Sequence, residues 1–340
     1  MIYSSSSAFA YELYGSSAYF LKRHLLFMLV GLIAAVALMS FDYGKLKNFT
    51  KPFLLFSILL LIAVFIPGIG RAAGGARRWI SLGPISFQPS EIAKMALVFY
   101  AADVLARKQS EIKDFLYGLL PLMMALGACM VLILLEPDLG TAIALACLII
   151  IMAFIAGVDI KQLLFMTIPG LIAIIGLIAM KPYRIKRIMA FWNPWNDPRG
   201  SGFQIIQSMI AMGTGGLFGV GLAHSKQKLF YLPEAHTDFI FSIIGEELGL
   251  VGTLGTVLLF AIFIWLGFRI AYSARDLFGQ FLAFGLVTML ALQVIINIAA
   301  VTGSIPTKGM PLPFISSGGT SLVYSLASVG LLLNIAKHRR

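Results

Sequence analysis

The sequence predicts an all-α fold that crosses a membrane many times, with no separate soluble domain. Three observations predict it. First, 59% of the 340 residues are hydrophobic and only 12% are charged, about half the charged share of a soluble domain. Second, apolar stretches recur along the whole chain, several of them near or above the roughly 18 residues that read as a membrane-crossing helix. Third, the segments between them alternate. Short plain connectors on one side face Gly- and Pro-rich loops on the other.

Nine spans are expected, in order Leu25–Phe41, Phe53–Pro67, Ile92–Ala106, Phe115–Leu135, Leu139–Val158, Leu163–Met180, Leu248–Phe268, Phe278–Thr302 and Gly319–Ala336. The N-terminal "MIYSSSSAFAYELYGSSAYFLKR" holds no full span. The tail "KHRR" follows the last span directly and places the C-terminus in the cytoplasm by the positive-inside bias. Counting back puts "RIAYSARD", "VDIKQ", "RKQSEIKD" and "DYGKLKNFTK" on the cytoplasmic side. The outer side then holds "GIGRAAGGARRWISLGPISFQPSE", "EPD", a long segment over 181–237, and "GSIPTKGMPLPFISSGG". The chain is expected to form one transmembrane domain over 1–340, with 181–237 as its large extracytoplasmic segment. Inside that segment, "PYRIKRIMAFWNPWNDPRGSG" mixes basic and aromatic residues as interfacial segments do. "FQIIQSMIAMG" reads as an amphipathic helix near the membrane surface.

The net charge of +11 calls for acidic partners. In a membrane protein these are membrane lipids with anionic headgroups; nucleic acid is excluded because no soluble basic module exists to carry it. Cys129 and Cys147 lie inside apolar runs and read as small core residues. No His/Cys metal spacing exists, because His24, His224, His236 and His338 are scattered. No cleavable signal peptide is evident.

Four outer loops carry candidate chemistry. In "YLPEAHTDFIFSIIGEELG", Asp238 stands where loop meets helix. It is either a helix cap or a partly desolvated carboxylate serving as a base. Glu246 and Glu247 lie further along, either interfacial or within the membrane. In "GGARRWISLGPISFQPSEIAK", Arg77 and Arg78 beside Gly74 and Gly75 suit an anion, or else form an aromatic-belt turn. Ser90 is expected as an N-cap, and Glu91 and Lys94 have the i, i+3 spacing of an ion pair. In "EPDLGTA", Pro137 breaks the helix, and Asp138 either caps the next one or joins Glu91 and Asp238 in a carboxylate set for Mg²⁺. In "TGSIPTKGMPLPFISSGGTSL", the prolines forbid regular helix, and Lys308 and Ser316 are candidate anion-facing donors. This set suits a phosphate-bearing substrate that reacts at a hydroxyl.

These clusters, in this order, resemble the SEDS family of FtsW, RodA and SpoVE proteins. "GARRWISLGPISFQPSEIAK", "EPDLGTA", "YRIKRIMAFWNPWNDPRGSGFQIIQSMIAMGTGGLFGVGLAHSKQKLFYLPEAHTDFIFSIIGEELG" and "PTKGMPLPFISSGGTSL" carry the resemblance over essentially the whole chain. "GVGLAHSKQKLFYLPE" and "NPWNDPRGSGFQIIQS" look closer to the FtsW/SpoVE branch. The resemblance implies a ten-helix peptidoglycan glycosyltransferase that joins lipid II units on the outer face of the bacterial cytoplasmic membrane. It implies a class B penicillin-binding protein, a transpeptidase, as partner. It implies Asp238 as the essential residue and general base, with Glu91, Lys94 and Asp138 lining the cavity. Arg77, Arg78, Arg184, Arg187 and Lys308, with or without Mg²⁺, are then candidates for the pyrophosphate. Two departures stand out. Ser317 replaces the aromatic of the family's "ISYGG", and "MIYSSSSA" looks like the end of the family's first helix, whose apolar body is missing. Two other function classes remain open at this stage, a lipid II flippase and a non-catalytic scaffold for a transpeptidase.

Overall fold

The computed structural model describes residues 1–73, 75–83 and 85–338. Gly74 of the expected anion turn and Arg339 and Arg340 of the basic tail lie outside the described residues. The chain folds into two compact units, each assembled from three stretches. The first comprises Met1–Leu29, Ile168–Phe263 and Ala291–Leu322; the second comprises Val30–Thr167, Ile264–Leu290 and Val323–Arg340.

All nine expected stretches are helical. They are α2 (Tyr19–Ser40), α3 (Thr50–Ala63), α4 (Pro89–Arg107), α5 (Leu120–Leu135), α6 (Leu139–Ile155), α7 (Ile160–Ala179), α10 (Ile240–Tyr272), α11 (Leu277–Val301) and α12 (Gly319–Lys337). The extra helices are α1 (Ile2–Tyr14), α8 (Pro182–Trp192) and α9 (Phe203–Gly215), the last being the amphipathic helix expected at 203 onward. Among the described residues, seven helical stretches are long and apolar enough to cross a membrane. Two of the nine differ. Helix α6 is apolar but has 17 residues. Helix α4 has 19 residues but carries Glu91, Lys94, Asp103 and Arg107. Protein rather than lipid encloses α4, since most of its residues are buried, so its polar groups can find partners instead of meeting hydrocarbon.

The second unit packs α3, α4, α5 and α6 around Leu97, Leu105, Leu122, Leu145, Leu148 and Met152, all fully or almost fully buried. Here the helical expectation needs one addition. The Gly-rich run before α4 forms a small antiparallel sheet, β1 (Gly70–Ala73), β2 (Ala76–Leu82) and β3 (Ile85–Phe87), in that order. The alternation of a strand sends successive side chains to opposite faces. Arg77 is therefore exposed while Arg78 reaches inward.

The first unit buries Phe239, Ile240, Phe241 and Ile243 against Val294, Val301 and Leu312. Its helix α10 is broken at Gly249, where φ is 67° and ψ is −161°. Backbone groups freed by such a break must find partners at membrane depth. The 216–221 loop supplies them. Leu250 N donates to Gly216 O (2.9 Å) and Val251 N to Leu217 O (3.1 Å), while Val220 N donates to Glu246 O (2.9 Å) and Gly221 N to Glu247 O (3.1 Å). A Cβ on Gly249 or Gly219 would overlap the backbone of the other strand of this crossing. Side chains are excluded there by close approach as well as by positive φ.

Candidate functional site

In the first unit, Asp238 is half-buried and lies in the turn just before α10. Two side chains, Asn297 and Ser316, fix that turn, and Gln293 fixes the segment beside it. Asn297, buried on α11, donates from Nδ2 to Asp238 O (2.8 Å) and to Met310 O (2.6 Å). Gln293, one helical turn away, donates to Pro311 O (2.8 Å) and to Ser321 Oγ (3.0 Å). Ser316 donates to Thr237 O (2.6 Å) and accepts from Leu312 N (2.7 Å). Ser317 N adds a bond to His236 O (3.0 Å). The proline-broken segment 304–318 is thereby stitched along the Asp238 turn, and Lys308 belongs to that segment. Ser316 departs from its expected role as an anion-facing donor. A serine has one O–H to give, and Ser316 gives it to Thr237, so its work is to position the turn.

Gly309 approaches the Asp238 carboxylate so closely that a methyl group there would overlap Oδ2. The Asp238 side chain would have to swing away. Displacing a reacting group by about 1 Å can cost on the order of 100-fold in rate. Gly309→Ala is therefore expected to lose activity on that scale while its melting temperature stays near wild type. An unchanged turnover in a purified assay would contradict the contact.

His236 packs its ring against Phe9 (centroids 5.2 Å apart) and Phe20 (4.6 Å). Burial pushes its pKa below the usual imidazole value, with Glu234 opposing. Glu246 and Glu247 are both buried within the protein. Glu246 accepts from Ser225 Oγ and from the backbone N–H groups of Lys226 (2.9 Å) and Gln227 (3.3 Å). Glu247 pairs with Lys228 Nζ at 2.8 Å, and Ser4 Oγ donates to the same Oε1 at 2.5 Å. Both glutamates pin the 225–228 loop to the first half of α10. Of the two remaining candidate cations of this unit, Arg184 is half-buried and donates to Leu177 O (2.7 Å), and Arg187 is exposed.

In the second unit, helix α4 starts at Pro89, so Ser90 is inside the helix and not its N-cap. Proline is pre-shaped for the first helical position, which leaves Gln88 as the boundary residue. Glu91 and Lys94 form the ion pair their spacing permits, at 2.7 Å, and both are buried. The Lys94 ammonium also lies 5.4 Å from the centroid of the Tyr324 ring, within cation–π range. Glu91 Oε2 and Ser90 Oγ are buried without a hydrogen-bond partner, an uncommon state for buried polar atoms. Asp138 caps α6, accepting from Thr141 N (3.0 Å) and Thr141 Oγ1 (2.8 Å). Arg78 holds the turn before it, donating from Nε to Glu136 O (2.9 Å) and from Nη2 to Pro137 O (2.7 Å).

Neither unit, among the described residues, groups three His, Cys, Asp or Glu side chains as a metal site. Glu91 and Asp138 belong to one unit and Asp238 to the other. The carboxylate set for Mg²⁺ gains no support from side-chain grouping among the described residues.

Glu136 is fully buried, and neither of its carboxyl oxygens has a hydrogen-bond partner. Burial, and secondarily Asp138, push its pKa up to about 8, against the pull of Arg78. The folded state therefore holds a proton that the unfolded chain releases at an ordinary glutamate pKa. Stability should be highest below that ordinary value and fall as pH rises through about 8, by at most about 1.4 kcal/mol per pH unit. Glu136→Gln should flatten the melting temperature between pH 6 and pH 9. If the variant and the wild type keep parallel pH profiles, Glu136 is not the titrating group.

A family model described as "Cell cycle protein" (FTSW_RODA_SPOVE) matches residues 1–340. "Stage V sporulation protein E" of Bacillus subtilis (strain 168) is 46% identical over 340 residues, covering 100% of this chain and 93% of that protein. "Probable peptidoglycan glycosyltransferase FtsW" of Geobacter sp. (strain M18) has the same identity and the same two coverages. Among solved structures, a chain from "Structural coordination of polymerization and crosslinking by a peptidoglycan synthase complex" superposes with a TM-score of 0.78 at 31% identity, covering 99% of this chain and 96% of that one. The Thermus thermophilus rod shape determining protein RodA superposes with a TM-score of 0.72 at 27% identity, covering 99% and 92%.

Proposed function

The chain belongs to the FtsW/RodA/SpoVE family, and on that premise we propose how its residues divide the work of a peptidoglycan glycosyltransferase. It is a multi-pass membrane protein, and its reaction is the joining of lipid II units into glycan strands for cell division, sporulation or cell shape. Asp238 takes the proton from the 4-hydroxyl of the acceptor's GlcNAc. That oxygen forms a bond to the anomeric carbon of the donor's MurNAc. The bond from that carbon to undecaprenyl pyrophosphate breaks, with inversion. The proton ends on the Asp238 carboxylate, and the leaving group carries off the electron pair.

The observation that supports Asp238 most is its setting. Asn297 and Ser316 hold its turn through backbone carbonyls, and Gly309 lies close against its carboxylate. A base held in this way loses little freedom when substrate arrives. Charge developing on the pyrophosphate calls for fixed cations, and Arg77, Arg78 and Lys308 are assigned that task. Arg78 also braces the Glu136–Pro137 turn, so its loss would disturb the start of α6 as well as the charge balance. Glu91, Lys94 and Asp138 are assigned to substrate binding. The Gly- and Pro-rich loops are assigned to the outer side of the cytoplasmic membrane, and a class B penicillin-binding protein is the proposed partner.

The test is polymerisation of purified lipid II by the chain together with its transpeptidase partner, read as glycan strands on a gel. Strands support the assignment. Transfer of labelled lipid II across liposomes without strands would make the protein a flippase. Partner capture with neither activity would make it a scaffold.

A further inference from the structure

Helix α8 is built inside out for a protein surface in water. Ile185, Ile188, Met189 and Trp192 recur at three- and four-residue spacing, which places them along one face. That face points away from the protein. Met189 is 67% exposed and Trp192 is 84% exposed, and the one buried residue of the helix is Ala190. Trp195, in the turn that follows, is also exposed. Such a face is stable next to a lipid surface and unfavourable in water.

The charges flanking that face have one sign. Lys181, Arg184, Lys186 and Arg187 fall within seven residues, and no Asp or Glu occurs between Asp159 and Asp197. Among the described residues none of the four makes an ion pair. Asp197 is turned to its own loop, accepting from Ser201 N (2.8 Å) and Ser201 Oγ (3.0 Å). Arg184 anchors the helix to the end of α7 by donating to Leu177 O, and its Nε donates to Tyr183 Oη (3.1 Å). Its fork offers five N–H groups, so donors remain for a phosphate. Long basic side chains at the edge of an apolar face reach toward headgroups while their stems lie along the acyl region.

We propose that α8 is an interfacial anchor selective for anionic phospholipids, with Lys181, Arg184, Lys186 and Arg187 contacting headgroup phosphates and Met189 and Trp192 seated among acyl chains. This assignment moves Arg184 and Arg187 from the substrate's pyrophosphate to the surrounding bilayer. It also makes local lipid composition a determinant of how α8 is held at the membrane surface.

The test uses the full chain in nanodiscs, with Trp79→Phe and Trp265→Phe so that fluorescence comes from Trp192 and Trp195. Phosphatidylglycerol with brominated acyl chains is compared with brominated phosphatidylcholine at equal mole fraction. The expected result is at least about twofold stronger quenching by the anionic lipid at low salt, lost near 1 M salt as screening shortens to about 3 Å. Replacing Lys181, Arg184, Lys186 and Arg187 with Gln should bring the ratio to about one while phosphatidylcholine still quenches, since the apolar face remains. Equal quenching by both lipids in the unsubstituted helix would overturn the proposal. So would quenching by neither, which would mean that protein covers this face. Displacement of the brominated anionic lipid by inorganic pyrophosphate would return the cluster to the substrate and also overturn it. No lipid II is present, so the outcome is independent of the polymerase assignment.

Discussion

Asp238→Asn is expected to reduce glycan polymerisation by about 10²- to 10⁴-fold, the range of a general base, without unfolding the protein. Asparagine keeps the shape of aspartate but cannot accept the acceptor's proton at neutral pH. Asn297 and Ser316 hold the turn through the backbone carbonyls of Asp238 and Thr237, and those bonds survive the substitution. The melting temperature should therefore move little. Asp238→Glu should restore only part of the activity, because Gly309 leaves no slack beside the carboxylate. If Asp238→Asn polymerises lipid II at the wild-type rate, another group removes the proton.

Lys228→Met should have the largest effect on stability. Glu247 is fully buried and its Oε1 is held by Lys228 and by Ser4. Removing the ammonium leaves a buried carboxylate with only the Ser4 hydroxyl. Breaking a buried pair in this way typically costs about 3–5 kcal/mol. The lost bonds also tie α1 and the 225–228 loop to the first half of α10, so the turn bearing Asp238 should loosen as well. Lys228→Met combined with Glu247→Leu removes both charges and should recover much of the lost stability. Thermal unfolding in detergent reads all three proteins. A single variant that melts with the wild type would show that the pair contributes nothing.

The bonds of Glu246 and Glu247 divide the acids of "YLPEAHTDFIFSIIGEELG" in a way local sequence could not. The position of Asp238, where a loop meets a helix, is legible in the local sequence. Glu246 and Glu247 are adjacent, yet one caps a backbone turn and the other neutralises a lysine. That division depends on the 216–228 loop folding back across the break at Gly249, a contact between segments some 20 residues apart. Local periodicity carries no record of it. The helices were legible for the opposite reason, since an apolar run of sufficient length needs no distant partner to be read.

Other misses have local causes. The sheet over 70–87 was hidden by its glycines, which read equally well as an anion-binding turn. Its signal was the alternation in "ARRWISL", which separates Arg77 from Arg78. Ser90 was read as a cap because serine is a good one, but Pro89 is better suited to begin the helix. Gln293 and Asn297 lie four residues apart in an otherwise apolar span. Paired amides on one face of such a helix have to satisfy something, and here they hold the Asp238 carbonyl and the 310–311 segment.

The central claim is that Asp238 acts on the proton and not on substrate capture. Its most direct test measures lipid II affinity and the single-turnover rate of transfer side by side, for the wild type and Asp238→Asn. The account predicts near-equal affinity with a rate lowered by at least about 10²-fold. Affinity falling in proportion to the rate, or a rate left intact, would contradict it.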